Sequence, residues 1–378
     1  MRFLYDAVGF GMWAYSNAAL RIVVLGPRRF RLEPGTIITV THRRETDVPV
    51  ISPPLYLGAR LWRNVDDRMA FAARDDMFVR GFFAGFPEGL SPRARRLLYR
   101  VGVGPMLPLV QVHPIGSARL ALVKEVLEER PGGALDEVLP DDLAESFRIR
   151  AAELAVSVPS RARDALRGEY ADLLWRTVSP EEAGSDGLEH LWARRAGQAA
   201  RDFRFLVDLV RSGRSLLVFP EGRPSPNGEI GPLRRGVGAL IRRARPRYLL
   251  PIALAYDPLV RGRTRVLVSF GEFLPPPAED IEQAVLAQLR RTMPLTCGQF
   301  VACELLAGRT PTAAGLADAV AAAREDGRPV DPHLLTGEDR ARRLAAALAA
   351  AERRRDDLPF LAREYESARS EQSAKPSQ

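Results

Sequence analysis

The chain has 378 residues, 46% of them hydrophobic, enough for one large or two ordinary domains around a buried core. Its net charge is +8, and all 55 basic residues except Lys124 and Lys375 are arginine, which suits anionic partners or reflects a coding bias toward arginine. No basic run is interleaved with aromatics and no phosphate-loop or dinucleotide fingerprint is present, so a nucleic-acid module and a nucleotide fold of those types are excluded.

Residues 7–20 are mostly apolar and lie between Asp6 and Arg21. The run is too short to span a bilayer and has too little flanking positive charge for a signal peptide. Two readings fit it: a helix in the membrane interface with Trp13 and Tyr15 at headgroup level, or a helix packed on its own core. The β-branched run Thr36–Val40 predicts a strand that delivers Thr41 and His42 to its end. Pro49 falls where a first helical turn tolerates it, so residues 43–47 form a strand-to-helix turn, which can fold Asp47 back toward the His42 imidazole.

Phe86-Pro87-Glu88-Gly89 reads as an ordinary turn. Residues 107–112 predict a second strand that ends at His113-Pro114, with His113 a structural residue at the strand end. Helical spacing over 117–129 puts Arg119 in a first helical turn. Pro131-Gly132-Gly133 breaks that pattern, and a helical insertion follows, interrupted at Pro180 and at Gly184-Ser185-Asp186-Gly187, with His190 solvated in its last helix.

Residues 215–219 are a short apolar run between Gly213 and Pro220, the pattern of a buried strand ending in a turn. Glu221 sits at its mouth, and Gly222 allows backbone N–H groups to approach a ligand. Ligands of open α/β sheets bind beyond the carboxyl ends of strands, which makes that carboxylate a site candidate. Residues 237–245 predict a short amphipathic helix, 248–255 and 265–270 predict strands, and from residue 281 the pattern is helical, with an alanine-rich helix around 340–355. Cys297 and Cys303 stand six apart in an apolar run and read as buried thiols, while His42, His113, His190 and His333 show no ligand spacing, so no metal is expected. The polar tail after Ser367 is expected to be disordered.

His42-x-x-x-x-Asp47 followed by Phe219-Pro220-Glu221-Gly222-Arg223-Pro224-Ser225, continuing through Gly228 to Arg234-Arg235-Gly236, resembles the ordered motifs of the glycerolipid acyltransferase superfamily, which includes the lysophosphatidate acyltransferases. The resemblance covers residues 30–130 and 205–275. Residues 72–78 resemble the segment between the first two motifs, and 248–255 resemble the fourth, a strand with one proline, Pro251, beside the acyl site. The tetrad at 86–89 copies the third motif out of order. Two positions depart from the family: Pro114 stands where motif two ends in arginine, the nearest being Arg119, and Arg223-Pro224 replace the threonine and arginine after the motif-three glycine.

The resemblance implies an α/β acyltransferase core sheet flanked by helices, with a helical insertion and a helical C-terminal module. The expected divisions are an interfacial N-terminal helix at 1–29, an acyltransferase domain at 30–276 with its insertion at about 131–204, a helical module at 277–367 and a tail at 368–378. It implies an O-acyltransferase that moves a fatty acyl group from acyl-CoA or acyl carrier protein, as co-substrate and without a further cofactor, to a hydroxyl of a lysophospholipid such as 1-acyl-glycerol-3-phosphate. His42 would be the general base, oriented by Asp47, with Glu221, Gly222, Arg223, Ser225, Arg119 and Pro251 on the substrates. A diffusible donor and a membrane lipid acceptor imply peripheral or monotopic membrane contact on the cytoplasmic face, and no nucleic acid. Two rivals are a superfamily enzyme with a non-phosphorylated acceptor, suggested by Pro114 and Pro224, and a non-catalytic lipid-binding relative, against which intact His42, Asp47 and Glu221 argue. Imidazole, with an unperturbed pKa near 6.5, is the natural base for such chemistry. The Gly-x-Ser-x-Gly elbow of a common hydrolase is missing.

Overall fold

The computed structural model describes residues 2–27, 29–61, 68–85, 90–183 and 187–369. The tetrad at 86–89, residues 184–186 of the expected loop and residues 370–378 of the expected tail lie outside the described residues. The chain forms two compact units, Met1–Phe71 with Val207–Gln378, and Ala72–Leu206. The described strands are β1 (Arg21–Leu25), β2 (Thr36–Val40), β3 (Ala70–Arg74), β4 (Val112–Ile115), β5 (Ala121–Leu122), β6 (Thr177–Val178), β7 (Leu216–Val218), β8 (Tyr248–Asp257) and β9 (Arg265–Phe270).

In the first unit the strand order is β1-β9-β8-β2-β7, with Ala70 and Phe71 of β3 beside β7. Every neighbouring pair is parallel except β8 and β9. Parallel strands are covered on both faces, so they read as unbroken apolar runs. β2 and β7 do so: Ile37, Ile38, Leu216 and Leu217 are fully buried. Their register positions the site, because Thr39 pairs with Val218. His42 and Glu221 each lie three residues beyond that pair, so the two segments leave the sheet side by side.

Helices cover this sheet. In Arg235–Ala244, Val237, Leu240, Ile241 and Ala244 are buried at helical spacing, while Arg242 and Arg243 stay outside. The helix Asp47–Gly58 starts where the turn after β2 ends. The N-terminal helix Arg2–Ala19 packs on it: Tyr5 is buried, and Ser16 Oγ donates to the Pro49 carbonyl at 2.5 Å. The opposite side leaves Phe3 84% and Phe10 65% exposed, with Trp13 and Tyr15 also outside. The packed reading holds for the buried side of this helix, and the aromatics stand on its exposed side. No helix among the described residues is long and apolar enough to cross a membrane.

From residue 281 onward the unit is helical: Ile281–Thr292, Cys297–Leu306, Ala313–Glu325, Gly337–Ala351 and Leu358–Arg369. Phe300, Val301, Leu316, Leu344, Leu361 and Tyr365 share a core there. Cys297 is buried, Cys303 half-buried, and both are free thiols. Among the described residues no cluster could hold a metal ion.

The second unit has its own core around Phe147, Tyr170, Trp175 and Leu191. Two expectations are corrected here. The run at 107–112 is not a strand but the end of a 3-10 helix, Gly104–Val110, and β4 begins at Val112 and contains His113 and Pro114. Pro105 and Pro108 have no N–H to give a strand ladder, which is the physical reason. Arg119 is not in a helical turn either. It sits in an exposed turn ahead of β5, which pairs antiparallel with β6, and the helix starts only at Val123.

Candidate active site

The turn after β2 is organised by Asp47, whose carboxylate is fully buried in the first turn of its helix. Its Oδ2 lies 2.9 Å from His42 Nδ1 and accepts the backbone N–H groups of Arg43 and Arg44, the latter at 2.9 Å. Its Oδ1 accepts the Tyr256 hydroxyl at 2.7 Å. A helix N-terminus favours a negative charge at that position. Burial, and then the Asp47 charge, push the Tyr256 phenol far above its ordinary range, so it stays a donor. A carboxylate surrounded by donors fixes the histidine tautomer: Nδ1 carries the proton, and Nε2 keeps its lone pair. The His42 ring stacks on Phe219 with centroids 4.3 Å apart, and its side chain is 13% exposed. The ring is thus held on one side and reachable on the other.

The loop after β7 is tied to the same turn. The His42 N–H donates to Glu221 Oε1 at 2.8 Å, and Arg43 Nη2 bridges both Glu221 oxygens at 2.9 and 3.1 Å. Arg43 Nη1 donates to the Gly228 carbonyl at 2.8 Å. Ser225 donates its N–H to the His42 carbonyl at 2.9 Å, and its hydroxyl accepts the Gly228 N–H at 3.0 Å. Burial pushes the Glu221 carboxyl up, and the Arg43 charge opposes that shift. Both Glu221 oxygens are therefore occupied by the adjoining turn.

Gly222 has φ +74°, and a Cβ there would lie 2.9 Å from Arg234 Cγ, so the loop needs glycine both for its backbone and for space. Arg223 and Arg234 are exposed cations on this loop. Pro251, opposite Thr39 in the β2–β8 register, lines a cavity of about 190 Å³ together with Thr39, Leu249, Leu274, Val285 and Gln288.

The structure thus brings together His42, Asp47, Glu221, Gly222 and Ser225, leaves Arg223 at the surface of the same loop, and puts Pro251 in an apolar cavity of the same sheet. Arg119 belongs to the second unit, where its N–H donates to Ser117 Oγ at 3.2 Å. Sequence reasoning missed Arg43 and Tyr256. Arg43, beside Arg44, looks like one of many surface arginines; only the need of a buried Glu221 for a cation could have singled it out. Tyr256 lies one residue beyond the segment that resembles the fourth motif, and Arg44 covers its ring at 4.6 Å.

Residues 180–255 match the family model described as Acyltransferase, a span that contains Glu221–Ser225, Pro251 and none of the first motif. No curated protein matches the chain. Among solved structures the chain is similar to the 1-acyl-sn-glycerophosphate (LPA) acyltransferase, PlsC, from Thermotoga maritima, at 13% identity and a TM-score of 0.36, over 76% of this chain and 78% of that one.

Proposed function

We propose, for a chain whose residues 180–255 match the acyltransferase family model, that it moves a fatty acyl group from acyl-CoA or an acyl carrier protein to a hydroxyl of a lysophospholipid such as 1-acyl-glycerol-3-phosphate. The observation that carries this reading is the His42–Asp47 pair at 2.9 Å, in which Nδ1 is engaged and Nε2 is left for a substrate proton. The acceptor hydroxyl attacks the thioester carbonyl carbon while Nε2 takes its proton, forming the new C–O bond and an oxyanion. Collapse of that intermediate breaks the C–S bond, and the imidazolium returns the proton to the departing thiolate. Asp47 keeps the ring in the required tautomer and stabilises the imidazolium. General-base help of this kind contributes ~10²–10⁴ in rate.

Arg223 and Arg234 offer guanidinium groups to an acceptor phosphate. The cavity around Pro251 suits the start of an acyl chain. The exposed aromatics of the helix Arg2–Ala19 suit peripheral contact with the cytoplasmic face of a membrane, where Phe10 and Trp13 stack with centroids 5.4 Å apart. A non-phosphorylated acceptor is the second reading, favoured by the one-residue displacement of arginine to Arg223. The test is incubation of purified protein with labelled acyl-CoA or acyl carrier protein and a panel of lysolipids, with products identified by mass spectrometry. Transfer that is lost in His42→Ala supports the proposal. No transfer to any acceptor, or undiminished turnover in His42→Ala, rejects it.

A further inference from the structure

Residues 92–110, in the second unit, hold apolar and cationic side chains outside the core. From 89 to 124 the sequence has no aspartate or glutamate, while Arg93, Arg95, Arg96, Arg100, Arg119 and Lys124 give it six cations. The helix Pro92–Leu98, capped by the Ser91 hydroxyl, has no buried residue. Arg93, Arg96, Leu97 and Arg100 recur at i, i+3, i+4 and i+7, and all four are exposed. The inner side closes without them: Arg95 donates to the Ala84 carbonyl at 2.7 Å, and Leu98 and Tyr99 pack on the core around Trp175. Leu97 is 69% exposed, and Val101, one turn further on, is exposed as well.

The chain then passes Phe78, whose carbonyl oxygen would lie 2.2 Å from a Cβ on Gly104. It enters the 3-10 helix Gly104–Val110, in which every residue is apolar and only Gly104 is buried. Met106 is 51% exposed. A single exposed leucine needs no explanation, but a run of exposed apolar residues marks an interaction surface. Its cations are largely unneutralised: Arg96 Nε lies 3.5 Å from Glu169 Oε2, and among the described residues Arg93 and Arg100 form no ion pair.

The backbone favours lipid as the occupant. Pro105 and Pro108 have no N–H, and the Met106 and Gln111 N–H groups donate to the Val103 and Pro108 carbonyls at 2.8 and 3.1 Å. A segment enters the apolar layer of a membrane at low cost only when its N–H groups are satisfied internally. Arginine stems can lie along such a segment and carry their charge to lipid phosphates. We propose that residues 92–110 are a membrane-contact surface of the second unit, with Leu97, Val101 and Met106 entering the interface and Arg93 and Arg100 on anionic headgroups. This surface is separate from the helix Arg2–Ala19 of the first unit and depends on no catalytic step.

The test uses the full chain with Phe3→Ser, Phe10→Ser and Trp13→Ser, which removes the aromatics of the first helix. Vesicles of phosphatidylglycerol and phosphatidylcholine in equal parts are compared with phosphatidylcholine alone. No substrate is present, so the result stands apart from the acyl-transfer reading. This parent is expected to sediment with the anionic vesicles and hardly with the neutral ones. Each cation near an anionic surface contributes about fivefold, so Arg93→Gln with Arg100→Gln should raise the vesicle Kd roughly thirtyfold and flatten its salt dependence. Leu97→Ser, Val101→Ser and Met106→Ser together should raise it about tenfold or more and leave the salt dependence in place. Tm should stay near that of the parent in both. A polarity-sensitive dye on Met106→Cys, with Cys303→Ser so that only buried Cys297 remains besides, should shift to the blue on anionic vesicles. Where a variant lowers Tm, the dye decides. A parent that ignores vesicles, a Kd unmoved by either set of changes, or a dye that still reports water on bound protein overturns the proposal. Vesicle binding unmoved while retention on polyglutamate falls in Arg93→Gln with Arg100→Gln overturns it too, in favour of an acidic protein.

Discussion

Asp47→Asn separates what the carboxylate does by its shape from what it does by its charge. In the structure Oδ2 receives three N–H donors and Oδ1 receives only the Tyr256 hydroxyl. An asparagine can keep its carbonyl oxygen at the Oδ2 position and turn its NH₂ toward Tyr256, whose oxygen can rotate to accept. The imidazole then keeps Nδ1–H bonded and Nε2 free, so the tautomer survives. Only the charge opposite the developing imidazolium is lost. A hydrogen bond to a charged group contributes about 1.5–3 kcal/mol, and a neutral one about 0.5–1.5 kcal/mol, so the variant loses about 1–2 kcal/mol of transition-state stabilisation, roughly five- to thirtyfold in kcat. Asp47→Ala, by contrast, takes the acceptor from the backbone N–H groups of Arg43 and Arg44 and frees the ring, and its activity should fall to that of His42→Ala. Steady-state kinetics on the three variants, with Tm measured in parallel, make the comparison. If Asp47→Asn is as inactive as Asp47→Ala at an undiminished Tm, the argument that the amide preserves the tautomer is wrong.

Other outcomes follow from the same contacts. Tyr256→Phe leaves Asp47 Oδ1 buried without its donor and should destabilise the fold by about 1–3 kcal/mol, read from urea unfolding, with a smaller loss of kcat. Replacing Phe3, Phe10 and Trp13 together by serine should reduce sedimentation with anionic vesicles and leave Tm nearly unchanged, since these side chains are exposed; equal loss of both would make the helix purely structural. Arg223→Ala should raise the KM of a phosphorylated acceptor about tenfold or more and spare the donor, whereas unchanged acceptor kinetics favour an acceptor without phosphate. Burial raises Asp257 to about 6 and Glu364 to about 7, so between roughly pH 4 and 7 the folded state holds protons that the unfolded chain releases. Stability should therefore fall as pH rises through that window, and the urea midpoint of Glu364→Gln should depend on pH less steeply than that of wild type.

The four adjacent strands β9, β8, β2 and β7 were legible because they carry strong local signals, whereas β1 and β3 were not read as strands. The β-branched run predicted β2 at its observed bounds, and the expected strand at 215–219 contains β7. The His42–Asp47 pair and the glutamate loop were legible as ordered motifs, because spacing along the chain carries over into a short turn. What failed was local pattern read without its hydrogen bonds: residues 107–112 are apolar enough for a strand, but two prolines nearby leave a ladder without donors. Arg119 looked helical because the spacing downstream is helical, while the β5–β6 pairing that displaces the helix start depends on residues more than fifty positions away.

Arg43, which ties the two motifs together, was illegible for a different reason. Composition makes arginine the commonest charge in this chain, so nothing in the local sequence separates Arg43, fully buried on Glu221, from the exposed arginines around it. The separating information lies in its partners: the Glu221 carboxylate and the Gly228 carbonyl, 178 and 185 positions away in the loop after β7, and the Asp47 carboxylate that takes its backbone N–H. The last helix, Leu358–Arg369, did carry a local sign. Leu358, Leu361, Ala362, Tyr365 and Ala368 mark its buried side, and Glu364 falls among them where an apolar residue would cost less. A carboxylate in an apolar stripe demands a polar partner from outside its own helix, and Gln299 of a neighbouring helix donates to its Oε2 at 2.7 Å. Arg43, by contrast, cannot be assigned to Glu221 until the sheet register has put His42 and Glu221 beside each other.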